Sequence, residues 1–122
     1  MKVLIVDDSS AMRMMVLRTL RQAGFGDHDF VQADDGTTAL ETIEAEAPDV
    51  VLCDWNMPTM NGIDVLKTLN EKEHKPMPKF GFVTTEATGE MRKVAGDAGA
   101  AFMIAKPFTA ESFQASLTEF LG

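Results

Sequence analysis

Residues 50–62 read VVLCDWNMPTMNG. Val50–Cys53 is a short apolar run, the pattern of a strand covered on both faces in a parallel sheet. It runs directly into a carboxylate, Asp54, and then into a loop stiffened by Met57-Pro58. In open α/β sheets, ligands bind beyond the carboxyl ends of the strands. A core strand that ends in an acid therefore places that acid on the edge of the sheet where chemistry is done.

Working outward, comparable short runs occur at Val3–Val6, Phe30–Val31, Phe80–Thr84 and Phe102–Ile104. Segments of helical period separate them. Met12, Met15, Val16, Thr19, Leu20 and Ala23 form a first stripe, stopped by Gly24. Ala39, Leu40 and Ile43 form a second, with Asp35 as its cap and Pro48 beyond its end. Ile63, Leu66 and Leu69 form a third, with Asn61 and Asp64 spaced as a capping box. Met91, Val94, Ala95 and Ala98 precede Gly99, and Phe113, Leu117, Phe120 and Leu121 follow Thr109. Five β/α repeats in order predict an α/β domain, a parallel sheet with helices on both faces. The charged, proline-containing segment 71–79 reads as a surface loop.

The other strand ends carry the same kind of residue. Strand 1 ends in Asp7 and Asp8, strand 4 in Thr84, Thr85 and Glu86, and strand 5 in Lys106. Any one of these acids is more simply a helix cap. Three acids with a hydroxyl and a lysine at successive strand ends point to a site. Carboxylates about 5 Å apart repel by roughly 3 kcal/mol per pair at an effective dielectric near 20. A hard divalent cation, Mg²⁺ above all, offsets that repulsion and leaves room for a phosphate. Lys106 adds a second positive charge.

Composition narrows the rest. A chain of 122 residues fits one domain, residues 1–122. A net charge of −8 with scattered lysines and arginines argues against nucleic acid binding. No apolar run is long enough to span a bilayer, and MKVLIVDD is no signal peptide. The single cysteine, Cys53, fits the reducing cytoplasm and a core packing role.

The motifs DD at 7–8, DWNMP at 54–58, NG at 61–62, VTTEA at 83–87 and KPFTA at 106–110 resemble, in register, the receiver domain of bacterial two-component response regulators, most closely its chemotaxis (CheY-like) type. The likeness covers essentially the whole chain. It implies a flavodoxin-like (βα)5 fold with strand order 2-1-3-4-5. It implies that Asp54 is the phosphoacceptor, attacking a phosphohistidine of a histidine kinase or histidine phosphotransfer protein. Asp8, Asp54 and the backbone carbonyl of Asn56 would hold Mg²⁺, with Asp7 on that metal's waters. Thr84 would bond the phosphoryl group, Lys106 would pair with it, and the Lys106-Pro107 peptide would be cis. Asn56 and Glu86 would tune the lifetime of the phosphoryl group. The chain would be a signalling switch and no ordinary enzyme, acting on an output partner such as a flagellar motor switch. The alternative is a receiver cut from a longer regulator with a DNA-binding or enzymatic output domain.

At one position the sequence departs from that family. The site of its aromatic switch residue holds Met103, and the neighbouring Phe102 points to the opposite face of the strand. Met14 and Leu17 lie off the first helical stripe, beside Arg13 and Arg21, as surface hydrophobics or a docking patch for the histidine donor. Trp55 reads as a solvent-side packing residue whose fluorescence reports Mg²⁺ binding. His28 and His74 read as surface residues.

Overall fold

The computed structural model describes all residues, Met1–Gly122. Elements alternate strictly: β1 (Lys2–Val6), α1 (Ser10–Gln22), β2 (Asp29–Ala33), α2 (Gly36–Glu46), β3 (Val50–Cys53), α3 (Gly62–Glu71), β4 (Lys79–Thr84), α4 (Gly89–Asp97), β5 (Phe102–Ala105) and α5 (Ala110–Leu121). All pairings are parallel and the strand order is 2-1-3-4-5. That is the order the resemblance implies.

The strand alternation divides the core in two. Leu4, Val6, Val51, Cys53, Phe80 and Phe82 face α2, α3 and α4. Val3, Ile5, Val50, Leu52, Val83 and Ile104 face α1 and α5. β1 beyond Lys2, β3 and most of β4 are therefore buried, while the outer strands β2 and β5 are only partly covered. Phe102 lies flat over Gly81, where any side chain on β4 would collide with its ring, and so on the face opposite Met103.

Helix ends follow the local chemistry. Ser9, Asp35, Thr88 and Thr109 each accept a backbone N–H in the first turn of α1, α2, α4 and α5. Gly24 and Gly99, with φ of 95° and 91°, take the left-handed turn after α1 and α4. Three expectations are corrected. The Asn61 side chain makes no cap bond at α3, because the Asp64 N–H it would receive goes to the Asn61 backbone carbonyl at 3.0 Å, while the Gly62 N–H bonds the Trp55 carbonyl at 2.8 Å. The buried face of α1 is rotated from the expected stripe: Leu17 is 9% exposed and Met15 52%. The reason is that α5 packs beside α1, so the covered face extends toward Phe113 and Leu117. Neither histidine is a free surface group. His28 accepts from the Met1 ammonium through Nδ1 and donates through Nε2 to the Leu121 carbonyl, and His74 buries its Nε2.

Candidate functional site

β1 and β3 are adjacent, with Val6 paired to Cys53, so their next residues emerge side by side. The Asp54 N–H bonds the Val6 carbonyl at 2.9 Å, and the Asp7 N–H bonds the Ala33 carbonyl at 3.2 Å. Asp7, Asp8 and Asp54 each bring a carboxylate oxygen to within 4.8 Å of one another. Lys106, after β5, reaches back across the edge. Its Nζ donates to Asp7 Oδ2 at 3.0 Å and lies 3.6 Å from Asp54 Oδ2. All three side chains are largely buried, so these pairs are shielded from solvent more than ordinary surface ion pairs. The peptide bond after Lys106 is cis.

The three acids are held differently. Asp7 is buried, and its Oδ1 accepts the Ser9 N–H at 2.9 Å. Asp8 is exposed, and its carboxylate accepts no hydrogen bond from the protein. Burial pushes the Asp54 carboxyl above its ordinary pKa. Lys106 pulls it back, Asp7 and Asp8 push it up, and the Trp55 N–H pulls it down. Asp54 is thus a carboxylate whose charge is poorly solvated, beside two further acids and one cation.

Thr84 ends β4 fully buried. Its Oγ1 accepts the Glu86 N–H at 3.3 Å, which leaves its own proton free to donate. Its carbonyl accepts the Lys106 N–H at 2.9 Å, tying hydroxyl and lysine strands together at this edge. Asn56 is exposed and its carbonyl accepts no backbone N–H. Every donor available here is a hard oxygen, a set that suits Mg²⁺. The arrangement can hold a hard cation, present one carboxylate as a nucleophile and place an ammonium beside incoming negative charge.

Further expectations separate here. Cys53 is wholly buried and its thiol is pushed well above its ordinary value by burial. This fits a packing role. Trp55 does not face solvent: it is 8% exposed and its ring centroid sits 4.8 Å from that of Phe82. The indole joins the core cluster that Phe82 shares with residues of α2, α3 and α4. The Met14/Leu17 patch is not formed, since Leu17 is core. The exposed apolar pair on α1 is Met14 and Met15. Met12 and Met15 line an open depression of about 250 Å³ with Lys106 and Phe108. Met103 is half-buried against α4, in a shallow groove with Arg92 and Ala95, and Arg92 donates to its carbonyl at 3.4 Å. A concavity of about 350 Å³ at the opposite end of the sheet, framed by Pro48, Pro76 and Phe120, holds no comparable convergence of groups.

Sequence reasoning missed Arg13. Its Nη1 donates to the Asp7 carbonyl at 2.5 Å and its Nε to Gln32 Oε1 at 2.9 Å. The only signal was a cation one turn into the helix that follows the acid pair.

Comparison with known proteins agrees with this geometry. Residues 3–118 match the response regulator receiver domain. The chain is 44% identical over 118 residues to the chemotaxis protein CheY-3 of Vibrio cholerae, covering 96% of this chain and 88% of that protein. It is 43% identical over 112 residues to the chemotaxis protein CheY of Pseudomonas aeruginosa, covering 91% and 88%. Among solved structures, Vibrio cholerae CheY4 superposes with a TM-score of 0.83 at 33% identity, covering 98% of each chain.

Proposed function

The chain belongs to the response regulator receiver domain family, and from that premise we propose that residues 1–122 form a single receiver unit switched by phosphorylation of Asp54. The observation that carries this reading is the convergence of Asp7, Asp8, Asp54 and Lys106 on one sheet edge.

In the proposed reaction an Asp54 carboxylate oxygen attacks the phosphorus of a phosphohistidine. The donor's P–N bond breaks, the electron pair leaves with the imidazole, and an acyl phosphate forms on Asp54. Phosphoryl transfer asks the protein mainly for positioning and charge. Lys106, paired with Asp7 and close to Asp54, would leave them and pair with the phosphoryl oxygens. Thr84 has an uncommitted hydroxyl proton to donate to them. Asp7, Asp8, Asp54 and the Asn56 carbonyl would hold Mg²⁺, which when bound neutralises charge on the phosphoryl oxygens. Asn56 and Glu86, both exposed beside the site, would govern water's approach to the acyl phosphate.

The phosphate adds about −1.5 to −2 charge. Drawing Thr84 and Lys106 toward it would move the segment leading into α4, the helix with least apolar anchorage. Met103, packed on that helix, would shift with it in place of an aromatic switch. The partners are a histidine kinase or phosphotransfer protein and an output protein, in chemotaxis by analogy with the relatives. No helix is long and apolar enough to cross a membrane, and the proposed place of action is the cytoplasm.

Intact mass after mixing with Mg²⁺ and a small acyl phosphate tests the reading. The wild type gains one phosphoryl group; Asp54→Asn and a metal-free control gain none. Failure of the wild type to gain mass, together with failure to bind beryllofluoride, would sink it.

A further inference from the structure

We infer that Arg13 is a positioning residue: by gripping the Asp7 carbonyl it fixes the Asp7–Asp8 peptide and so aims the exposed Asp8 carboxylate into the acid cluster. The inference rests on the metal reading above and concerns how this chain builds that site.

The need for such a grip follows from how little else holds Asp8. Its carboxylate has no protein partner, so its direction is set by the backbone alone. The segment is pinned on either side of that residue. On one side the Asp7 N–H bonds Ala33 in β2. On the other, the Ser9 N–H bonds Asp7 Oδ1, and Ser9 receives Met12 and Arg13 as the cap of α1. Between these anchors the Asp7–Asp8 peptide plane is left to turn, and the Arg13 guanidinium is the group that holds its oxygen. The guanidinium is itself steered. Its Nε donates to Gln32 on β2, so its planar fork joins α1, the acid loop and the neighbouring strand. Partners one step behind metal-binding carboxylates typically set their direction, and removing them weakens metal binding by about ten- to a hundredfold.

Charge alone predicts the opposite sign. Arg13 is a cation near three carboxylates, so deleting it should strengthen attraction for a divalent cation. Positioning predicts weaker binding. The sign therefore separates the two roles without reference to phosphoryl transfer.

The experiment is calorimetric titration of Mg²⁺ into wild type, Arg13→Met, Arg13→Lys, Gln32→Leu and, as a matched loss of charge elsewhere on α1, Arg18→Met. Thermal melts without metal report folding. Expected is about tenfold weaker binding for Arg13→Met. Arg13→Lys recovers part of the loss, since one donor still reaches the carbonyl. Gln32→Leu shows a smaller loss of the same sign, and Arg18→Met none. Unchanged or tighter binding by a folded Arg13→Met overturns the inference while leaving the metal reading intact. Should Arg13→Met not fold, Gln32→Leu decides, and unchanged affinity there overturns it. A wild type that binds no Mg²⁺ removes the metal reading, and the role of Arg13 with it.

Discussion

Helices α3 and α4 follow neighbouring strands, β3 and β4, whose ends carry Asp54 and Thr84, yet they are held to the sheet unequally. α3 buries Gly62, Ile63, Val65, Leu66 and Leu69. α4 buries only Ala95 and leaves Val94 38% exposed. Few buried apolar contacts mean a low free energy of local opening. The difference divides labour along one edge of the sheet. In the proposed reaction, the carboxylate held in line for attack would sit in front of an anchored helix. The hydroxyl proposed to respond to a new phosphate would sit in front of one that moves at little cost.

Truncation should expose this contrast most strongly. Leu66→Ala removes a fully buried side chain from α3, and about 2–5 kcal/mol of stability should go with it. Val94→Ala in α4 should cost under about 0.5 kcal/mol, as for surface changes generally. Urea denaturation of the two variants measures both. Equal losses would mean that Val94 anchors α4 as firmly as Leu66 anchors α3, and the contrast would be lost.

A subtler probe is Gly62→Ala. A Cβ at Gly62 would run into the Asp54 carbonyl oxygen and crowd Phe82 Cε1 at 3.0 Å and Cys53 Sγ at 3.1 Å. The absent side chain is what lets the first turn of α3 rest on the backbone of the proposed phosphoacceptor. The substitution should destabilise by about 1–3 kcal/mol, the usual cost of overpacking. It should also slow phosphorylation by a small acyl phosphate, since Asp54 must shift to make room. A variant that is stable and phosphorylated at the normal rate would show that α3 and Asp54 are not mechanically joined.

The electrostatic side of the comparison is read by Asp54→Asn in metal-free buffer. The folded Asp54 pKa is raised above its ordinary 3.8, chiefly by burial. Such a group favours the native state fully only below the unfolded value, and that contribution is lost as pH rises through the folded one. Asp54→Asn, which carries no charge to bury, should therefore melt higher than wild type near neutral pH. The gap should close as pH falls toward and below 3.8. A gap that stays constant across that range would assign the effect to packing, and the strain in the acid pocket would not be electrostatic.

Much of this edge was legible in the sequence, because a change from apolar to polar marks each strand end. Asp7, Asp8, Asp54, Thr84 and Lys106 stand where such changes occur, and the alternation of runs and stripes gave the layers. The misreadings have tertiary causes. Leu17 reads as solvent-facing because its burial depends on α5, which lies some hundred residues on. Trp55 reads as solvent-side because its packing partner, Phe82, belongs to another strand and leaves no local mark. Arg13 carried no visible role because its partner Gln32 belongs to another strand. The weak anchorage of α4 is half visible: two glycines and a single alanine are plain in GEMRKVAGD, but period alone places Val94 in the core.

Those glycines allow the smallest and most pointed change. Gly96 lies within α4, and a Cβ built there meets no atom within 4 Å. Gly96→Ala should therefore introduce no clash. Alanine loses less backbone entropy in a helix, so the variant should gain up to about 1 kcal/mol of helix stability. If α4 were a passive support, that gain would be harmless. If α4 is the element that yields when Thr84 and Lys106 turn toward a phosphate, stiffening it should blunt the response while leaving Asp54 fully reactive. Hydrogen exchange of the α4 amides, with and without beryllofluoride, reads this directly. Expected is slower exchange in unliganded Gly96→Ala than in wild type and a smaller change on adding the mimic, at unaltered phosphorylation rate. An undiminished change would place the responding element elsewhere, and the loose packing of α4 would then be only a consequence of its small side chains.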